Sequence, residues 1–169
     1  SHYFIPSCII WDMSKNNIIR LLESKKIPNR VYELPAMKLG ALETAKALDV
    51  PPELVYKTIV VRREHGKPLL AVIPGQHRLE LKLLASALGE KKLILPSERE
   101  AEELTGLQAG GISPLALINK GFQVVIASEA LDLPQIHISG GQRGLNIKLP
   151  VQSLAELTHA HFFKISDPE

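Results

Sequence analysis

The sequence lacks the features that mark several common classes of protein. Only Cys8 of its 169 residues is a cysteine, which excludes an intramolecular disulfide and a zinc site built on several thiolates. Its apolar runs, such as 59–61 and 124–127, fall far short of the roughly 20 residues that a membrane-spanning helix needs. The start has no basic region and no small-residue cleavage site typical of a secretory signal. We therefore expect a soluble, cytoplasmic protein without a membrane partner.

One folded domain is the expected organisation. The length of 169 residues lies within the range of roughly 100–200 residues that is typical of a single domain. Met13 looks like a natural start, so we expect residues 1–12 to be a remnant of an expression vector or an N-terminal extension, and residues 13–169 to form the domain. The formal net charge of +2 permits contact with nucleic acid without requiring it.

Apolar periodicity and turn residues predict a chain in which helices and strands are mixed throughout. We predict helices between Ser14 and Pro28 and over 42–48, 79–88, 97–104 and 151–157, and strands over 30–34, 57–63, 69–73, 92–95, 123–127, 135–139 and 145–149. The turn at His65-Gly66 predicts an antiparallel hairpin of the second and third strands. Several strands follow each other too closely for crossover helices, which argues against a purely parallel sheet. The pattern favours the α+β class, with helices flanking a mixed, curved sheet.

Two glycine-rich loops are candidates for binding a ligand. They are G-G-I-S-P at 110–114 and S-G-G-Q-R-G at 139–144, the second directly after a predicted strand. Glycine lets backbone N–H groups approach a ligand closely, which suits an oxyanion hole or an anion site, although both loops could simply be tight turns. The phosphate motifs G-x-x-x-x-G-K-[ST] and G-x-G-x-x-G are missing, and so is G-x-S-x-G. ATP, a dinucleotide and a serine nucleophile of the α/β-hydrolase type are therefore disfavoured.

Lys57 is the most conspicuous single residue. It begins an otherwise apolar strand, where an ammonium is costly unless it has a partner or a function, and Thr58 beside it offers a hydroxyl. The alternative is that Lys57 extends to solvent at the end of the strand.

His159 and His161 form an H-x-H pair without an obvious third ligand. We therefore expect neither a metal nor a cofactor.

Three motifs in a fixed order connect the sequence with a known family. Y-K-T-I-V-V at 56–61, G-G-I-S-P and S-G-G-Q-R-G, together with V-Y-E-L-P at 31–35, closely resemble the motifs of YbaK-type Cys-tRNA(Pro) deacylases. That family is related to the editing domain of bacterial prolyl-tRNA synthetases. The resemblance implies a barrel-like mixed α/β fold and an enzyme that hydrolyses the ester linking cysteine to proline tRNA.

The resemblance also implies roles for individual residues. Lys57 matches the active-site lysine of the family, Tyr32 a residue near the substrate, and Gly111, Ser113 and Ser139 the loops around the pocket. The family often has an acidic residue where this chain has Asn146, so here we expect hydrogen bonding rather than carboxylate chemistry. The predicted catalytic set is Lys57, Gly110 and Gly111. The predicted substrate-binding set is Tyr32, Thr58, Ile112, Ser113, Pro114, Ser139, Gly140, Gly141, Arg143 and Asn146.

A mechanism without metal or protein nucleophile suits this chemistry. An aminoacyl ester is already activated and needs mainly positioning and stabilisation of the developing oxyanion. We expect the N–H groups of Gly110 and Gly111 to hold the carbonyl oxygen, Lys57 to hold the terminal nucleotide or stabilise charge, and water or the thiol of the substrate to attack. The expected partners are the 3′ end of mischarged tRNA and prolyl-tRNA synthetase in a ternary complex. The alternatives are action on Ala-tRNA(Pro) or a broader range of aminoacyl-tRNAs, and a non-catalytic module that binds a nucleotide or tRNA end.

Overall fold

A computed structural model of the protein describes residues 16–169, so the prediction for residues 1–12 lies outside the described part. Five α-helices occur in this part: α1 (Asn17–Ser24), α2 (Ala41–Leu48), α3 (Leu81–Leu88), α4 (Glu98–Thr105) and α5 (Val151–Thr158). The strands of the same part are β1 (Arg30–Glu33), β2 (Tyr56–Arg63), β3 (Leu69–Pro74), β4 (His77–Leu79), β5 (Leu93–Ile94), β6 (Gln123–Ala127), β7 (Gln135–Ser139), β8 (Leu145–Pro150), β9 (His161–Phe163) and β10 (Ser166–Pro168). Within residues 16–169 no helix is both long enough and apolar enough to span a membrane.

The helices and strands form a mixed α+β fold, as predicted. A five-stranded sheet has the order β5-β2-β3-β6-β9, a three-stranded sheet the order β1-β8-β7, and β10 pairs with β4. The predicted antiparallel hairpin of β2 and β3 is confirmed, whereas β6 lies parallel to both β3 and β9. The sheets do not close into a barrel, because the two larger ones meet at an isolated bridge between Val55 and His137 instead of a continuous ladder.

The main core lies between the two larger sheets. Alternating residues of β7 and β8, among them Ile138 and Ile147, pack with Val60 and Val72 of the five-stranded sheet. The opposite face of the five-stranded sheet packs on Leu84 of α3 in a second cluster. Such alternation of apolar residues along each strand is what buries one face of a sheet. The core holds the ends of β2, β7 and β8 in fixed positions.

The start of one predicted helix needs correction. Helix α1 lies within the predicted range; Ser14 is outside the described residues, and the cap is Asn16, since its Oδ1 accepts the N–H groups of Ile18 at 2.8 Å and Ile19 at 3.2 Å. The helix predicted from Leu79 begins only at Leu81, because residues 77–79 form β4 and pair with β10. Pairing with a distant strand overrides the local helical pattern there.

Candidate active site

A cavity of about 310 Å³ opens between the ends of the two larger sheets. Its walls come from the start of β2, the end of β7, the start of β8, the loop between β1 and α2, and the loop before residue 112. Six residues of the predicted site line it: Lys57, Thr58, Gly110, Ile112, Ser139 and Asn146. The other lining residues are Leu34, Met37, Lys38, Leu39, Gly40, Ala41, Thr44, Val55, Tyr56, Ala109, Gly144 and Leu145. The fold thus brings Lys57 and Asn146, almost ninety positions apart in the chain, to one cavity.

Lys57 supplies an uncompensated positive charge at this cavity. Its side chain is half-buried at the start of β2, and within residues 16–169 no hydrogen bond or ion pair to its ammonium is formed. The lining contains no Asp or Glu. The second lining lysine, Lys38, is paired with Glu98. A half-buried ammonium without a counter-ion favours a negatively charged or oxygen-rich ligand.

The two glycine-rich loops pack directly against each other. A Cβ added to Gly111 would lie 2.8 Å from Cα of Gln142, so only glycine fits at this contact. Nε of Arg143 donates to the carbonyl oxygen of Ala109 at 2.7 Å and ties the loops together. Arg143 therefore stabilises the wall of the cavity instead of lining it.

Only one of the two N–H groups predicted to hold the oxyanion, those of Gly110 and Gly111, is free to do so. The N–H of Gly111 donates to the carbonyl oxygen of Gln108 at 2.8 Å, so it is already in use. The N–H of Gly110 has no acceptor within residues 16–169, and Gly110 adopts a φ of +89° that is accessible mainly to glycine. Of the two predicted oxyanion donors, this arrangement leaves only Gly110 free to act.

Ser113 and Pro114 shape the loop and do not line the cavity. Ser113 is fully buried, and its Oγ accepts the N–H of Leu115 at 3.2 Å. This bond caps the short 3₁₀ helix Pro114–Leu117, in which proline occupies the first position. The structure thus assigns them a role in the loop, and their predicted contact with substrate stays a prediction.

Gly140 and Gly141 likewise hold the second loop in place. The N–H of Gly140 donates to the carbonyl oxygen of Leu145 at 2.8 Å, and the N–H of Gly141 donates to Oγ of Ser139 at 3.2 Å. A Cβ on Gly141 would lie 2.9 Å from Cδ1 of Ile18 in α1. Neither glycine lines the cavity, whereas Ser139 does, and its hydroxyl proton remains able to donate.

Tyr32 lies beneath the cavity and outside its lining. Tyr32 is 1% exposed and pairs across β1 and β8 with Asn146. Its ring packs against His137, with 5.5 Å between the ring centroids. Oδ1 of Asn146 lies 3.0 Å from Nδ1 of His137, and both side chains are buried. Tyr32 thus packs against a residue that contacts the cavity lining, and its predicted contact with substrate stays a prediction.

Sequence reasoning missed two parts of this site. His137 carried a signal, because it alternates with the buried Ile136 and Ile138 and so shares a strand face with Ser139. The loop between β1 and α2, which contributes Met37, Lys38 and Leu39, contains no recognisable motif. Only its packing against Gly110, whose Cβ would lie 3.3 Å from Cα of Lys38, reveals its role.

Tyr56 forms a neutral part of the wall. Burial raises the pKa of its phenol well above the usual range, and the negative charges of Glu129 and Asp132 raise it further. The phenol therefore remains protonated near neutral pH and does not act as a base. Among residues 16–169 no group of three or more His, Cys, Asp or Glu side chains could hold a metal ion.

Comparison with known proteins points to one family. Residues 38–157 match the family described as the aminoacyl-tRNA editing domain. A curated protein of Enterococcus faecalis with the provisional name Cys-tRNA(Pro)/Cys-tRNA(Cys) deacylase EbsC is 34% identical over 157 residues, which is 92% of this chain and 95% of that protein.

Solved structures show the same fold. The crystal structure of hypothetical protein APE2540 has a TM-score of 0.81 at 24% identity and matches 89% of this chain and 99% of its own. A crystal structure provisionally described as a trans-editing enzyme for prolyl-tRNA synthetase has a TM-score of 0.76 at 25% identity, over 90% of this chain and 96% of its own.

Proposed function

Because the chain belongs to the aminoacyl-tRNA editing domain family, we propose that it removes cysteine from wrongly charged proline tRNA by hydrolysing the aminoacyl ester. The chain is an aminoacyl-tRNA deacylase by family and by its likeness to a protein named for that activity. The choice of cysteine, the residues of the site and the order of events are the parts that we propose.

The single observation that carries the proposal is the pairing of a free ammonium with a free backbone donor at one cavity. Neither Lys57 nor the N–H of Gly110 has a partner within residues 16–169, and no carboxylate lines the cavity between them. Gly110 is exposed and Lys57 is half-buried, so both donors are accessible to a ligand that accepts hydrogen bonds. A tRNA end offers both missing partners, namely phosphate oxygens for Lys57 and the ester carbonyl oxygen for Gly110.

The proposed reaction needs only this chain and water. The water oxygen bonds to the ester carbonyl carbon, and the resulting oxyanion accepts the N–H of Gly110. The carbon–oxygen bond to the ribose then breaks, and the proton of the water passes to the ribose oxygen, which releases free cysteine and tRNA. In the other route the substrate thiol bonds to its own carbonyl carbon, the bond to the ribose oxygen breaks and that oxygen takes the thiol proton, and water then opens the cyclic thioester to free cysteine. Preorganised N–H donors of this kind contribute about 10²–10³-fold to rate in enzymes that cleave acyl groups.

Selectivity for cysteine has a physical rationale. A synthetase pocket discriminates poorly between amino acids of similar size, so a second site that clears the wrong product is a common solution. A cavity of about 310 Å³ lies at the lower end of the range of small-molecule sites, which suits a small amino acid with part of the terminal ribose.

Selectivity for the tRNA body requires another component. A chain with a formal net charge of +2 has little basic surface with which to hold the phosphate backbone of a whole tRNA. The relative from Enterococcus faecalis is named for two different tRNAs, which fits recognition of the amino acid rather than of the tRNA. We therefore propose that prolyl-tRNA synthetase presents the substrate in a ternary complex, in the cytoplasm where tRNA is charged.

The test is a panel of charged tRNAs incubated with purified protein and a chelator. The substrates are Cys-tRNA(Pro), Cys-tRNA(Cys), Ala-tRNA(Pro) and Pro-tRNA(Pro), each with and without prolyl-tRNA synthetase. The proposal predicts rapid loss of cysteine from both tRNAs and little loss of alanine or proline, with a synthetase effect confined to tRNA(Pro). Faster hydrolysis of Ala-tRNA(Pro) would overturn the cysteine assignment, and binding without hydrolysis would indicate a non-catalytic module.

A further inference from the structure

We propose that His137 is a positioning residue whose Nδ1–H holds Oδ1 of Asn146, so that the amide nitrogen of Asn146 faces the cavity as a hydrogen-bond donor. The inference rests on the proposed function for its kinetic consequence, but its structural content can be measured without any substrate.

The contact between the two residues is short and buried. Nδ1 of His137 and Oδ1 of Asn146 are 3.0 Å apart, and the side chains are 1% and 5% exposed. His137 sits on β7 and Asn146 on β8, two adjacent antiparallel strands in which Asn146 pairs with Ser139. Since Asn146 also lines the cavity, this pair connects the interior of the sheet with the site.

Two further contacts hold His137, one to its ring and one to its backbone. The ring of Tyr32 packs on it at 5.5 Å between centroids, and the backbone of His137 forms the bridge to Val55, two residues before Lys57. A ring held in this way has little freedom to turn its Nδ1 away from Asn146. His137 therefore fixes the orientation of the amide instead of following it.

The chemistry of the two groups determines which atom donates. An amide oxygen only accepts hydrogen bonds, so Nδ1 of His137 must carry the proton in this contact. With Oδ1 occupied, the amide nitrogen with its two N–H groups is the part of Asn146 that can face the cavity. The opposite arrangement, in which a rotated amide donates its N–H to an unprotonated Nδ1, would turn the amide oxygen toward the cavity, so the tautomer of His137 distinguishes the two.

The consequence is a cavity that presents three hydrogen-bond donors without a carboxylate among them. Lys57, the N–H of Gly110 and the amide nitrogen of Asn146 face a cavity without a carboxylate. Such a set fits the oxygen-rich groups of a tRNA end, namely the ester carbonyl, the ribose hydroxyls and the phosphate. The pair of His137 and Asn146 thus selects for acceptor groups at a position where a carboxylate would repel them.

Variants of His137 separate hydrogen bonding from packing. His137→Phe keeps a ring of similar volume and removes the donor, whereas His137→Asn places an amide nitrogen where Nδ1 lies and removes the ring. If the donor matters, His137→Phe loses about tenfold in kcat/KM, the usual size of one hydrogen bond, and His137→Asn retains more activity. The reverse order would show that the ring acts only by packing and would overturn the inference.

A double-mutant cycle tests whether His137 acts through Asn146. In the Asn146→Ala background, His137→Phe should cause no further loss, because the atom that it positions is gone. Losses that multiply in the double variant would contradict the proposal. Thermal unfolding of each variant identifies any that fails to fold.

A spectroscopic test is independent of activity. Nitrogen-15 NMR of the imidazole reports which ring nitrogen carries the proton, and we expect the Nδ1–H tautomer for His137 in the wild type and a changed signal in Asn146→Ala. An unprotonated Nδ1 in the neutral ring would refute the inference. If the wild type hydrolysed no charged tRNA, the proposed function would fail, and this measurement would still decide the role of His137.

Discussion

Replacing Gly111 with alanine tests whether the contact between the two glycine-rich loops sets the shape of the active site. Gly111 does not line the cavity, and its φ lies outside the left-handed region, so an added methyl group introduces steric conflict without backbone strain. The new Cβ would lie 2.8 Å from Cα and 2.9 Å from the carbonyl carbon of Gln142. Both atoms belong to the backbone of the second loop and cannot rotate away.

The size of the effect follows from this geometry. Ordinary contact begins at 3.4 Å, so the loops must separate by about 0.6 Å. Overpacking of this kind costs about 1–3 kcal/mol of stability. Because a misplacement of about 1 Å can cost about 100-fold in rate, we expect kcat/KM to fall between about tenfold and 100-fold.

The assay is hydrolysis of Cys-tRNA(Pro) at a temperature where circular dichroism shows the variant to be folded. Gly89→Ala is the matched control, since Gly89 has a φ of +69° and no atom within 4 Å of an added Cβ. We expect that variant to lose about 1–2 kcal/mol of stability from backbone strain and to retain full activity. Activity of Gly111→Ala within about twofold of the wild type would refute the claim that the loop contact shapes the site.

Two further predictions concern residues whose roles the structure redefines. Ser113→Ala should lower the free energy of unfolding by about 1–2 kcal/mol, because the buried N–H of Leu115 loses its acceptor, and should leave kcat/KM within about twofold. A tenfold loss of activity in a fully folded variant would instead restore a substrate contact for Ser113. The second prediction is a pH dependence of stability at Tyr56. Burial, and then the charges of Glu129 and Asp132, raise the pKa of the phenol in the folded protein, so the stability that the protonated phenol contributes is present below about pH 10 and is lost above it. Denaturant unfolding should show wild-type stability falling relative to Tyr56→Phe above that pH by up to about 1.4 kcal/mol per unit, and parallel curves to pH 11 would contradict the assignment.

Local sequence patterns predicted the structure correctly where it depends on residues that are neighbours in the chain. The helix predicted over 97–104 is found as α4: Ser97 caps it by accepting the N–H of Glu100 at 3.1 Å, and Gly106 follows it with a φ of +74°. The turn at residues 65–66 predicted the hairpin of β2 and β3 for the same reason. Strands β4 and β10 were missed because each is three residues long and exists through pairing with the other.

In the candidate site, too, contacts between distant segments could not be predicted from local sequence patterns. Lys57 stands out in the sequence because it interrupts an apolar strand, and the structure brings it to a cavity with Gly110. Ser113 and Tyr32 lie beside residues of the cavity in sequence or across the sheet, but their side chains are buried and face other groups. Which member of a loop lines a cavity depends on packing between distant segments, and no local pattern records that packing.

The measurement that tests the central claim most directly is the rate of Cys-tRNA(Pro) hydrolysis by Lys57→Ala, with Lys82→Ala as the control. Lys82 is exposed on α3, outside the cavity lining, and its removal changes overall charge equally. The account predicts that Lys57→Ala loses about 100-fold or more in kcat/KM, as expected for a charged group that holds the substrate or its developing charge, with unchanged thermal stability. Hydrolysis by Lys57→Ala at the rate of Lys82→Ala would contradict the assignment of this cavity as the active site.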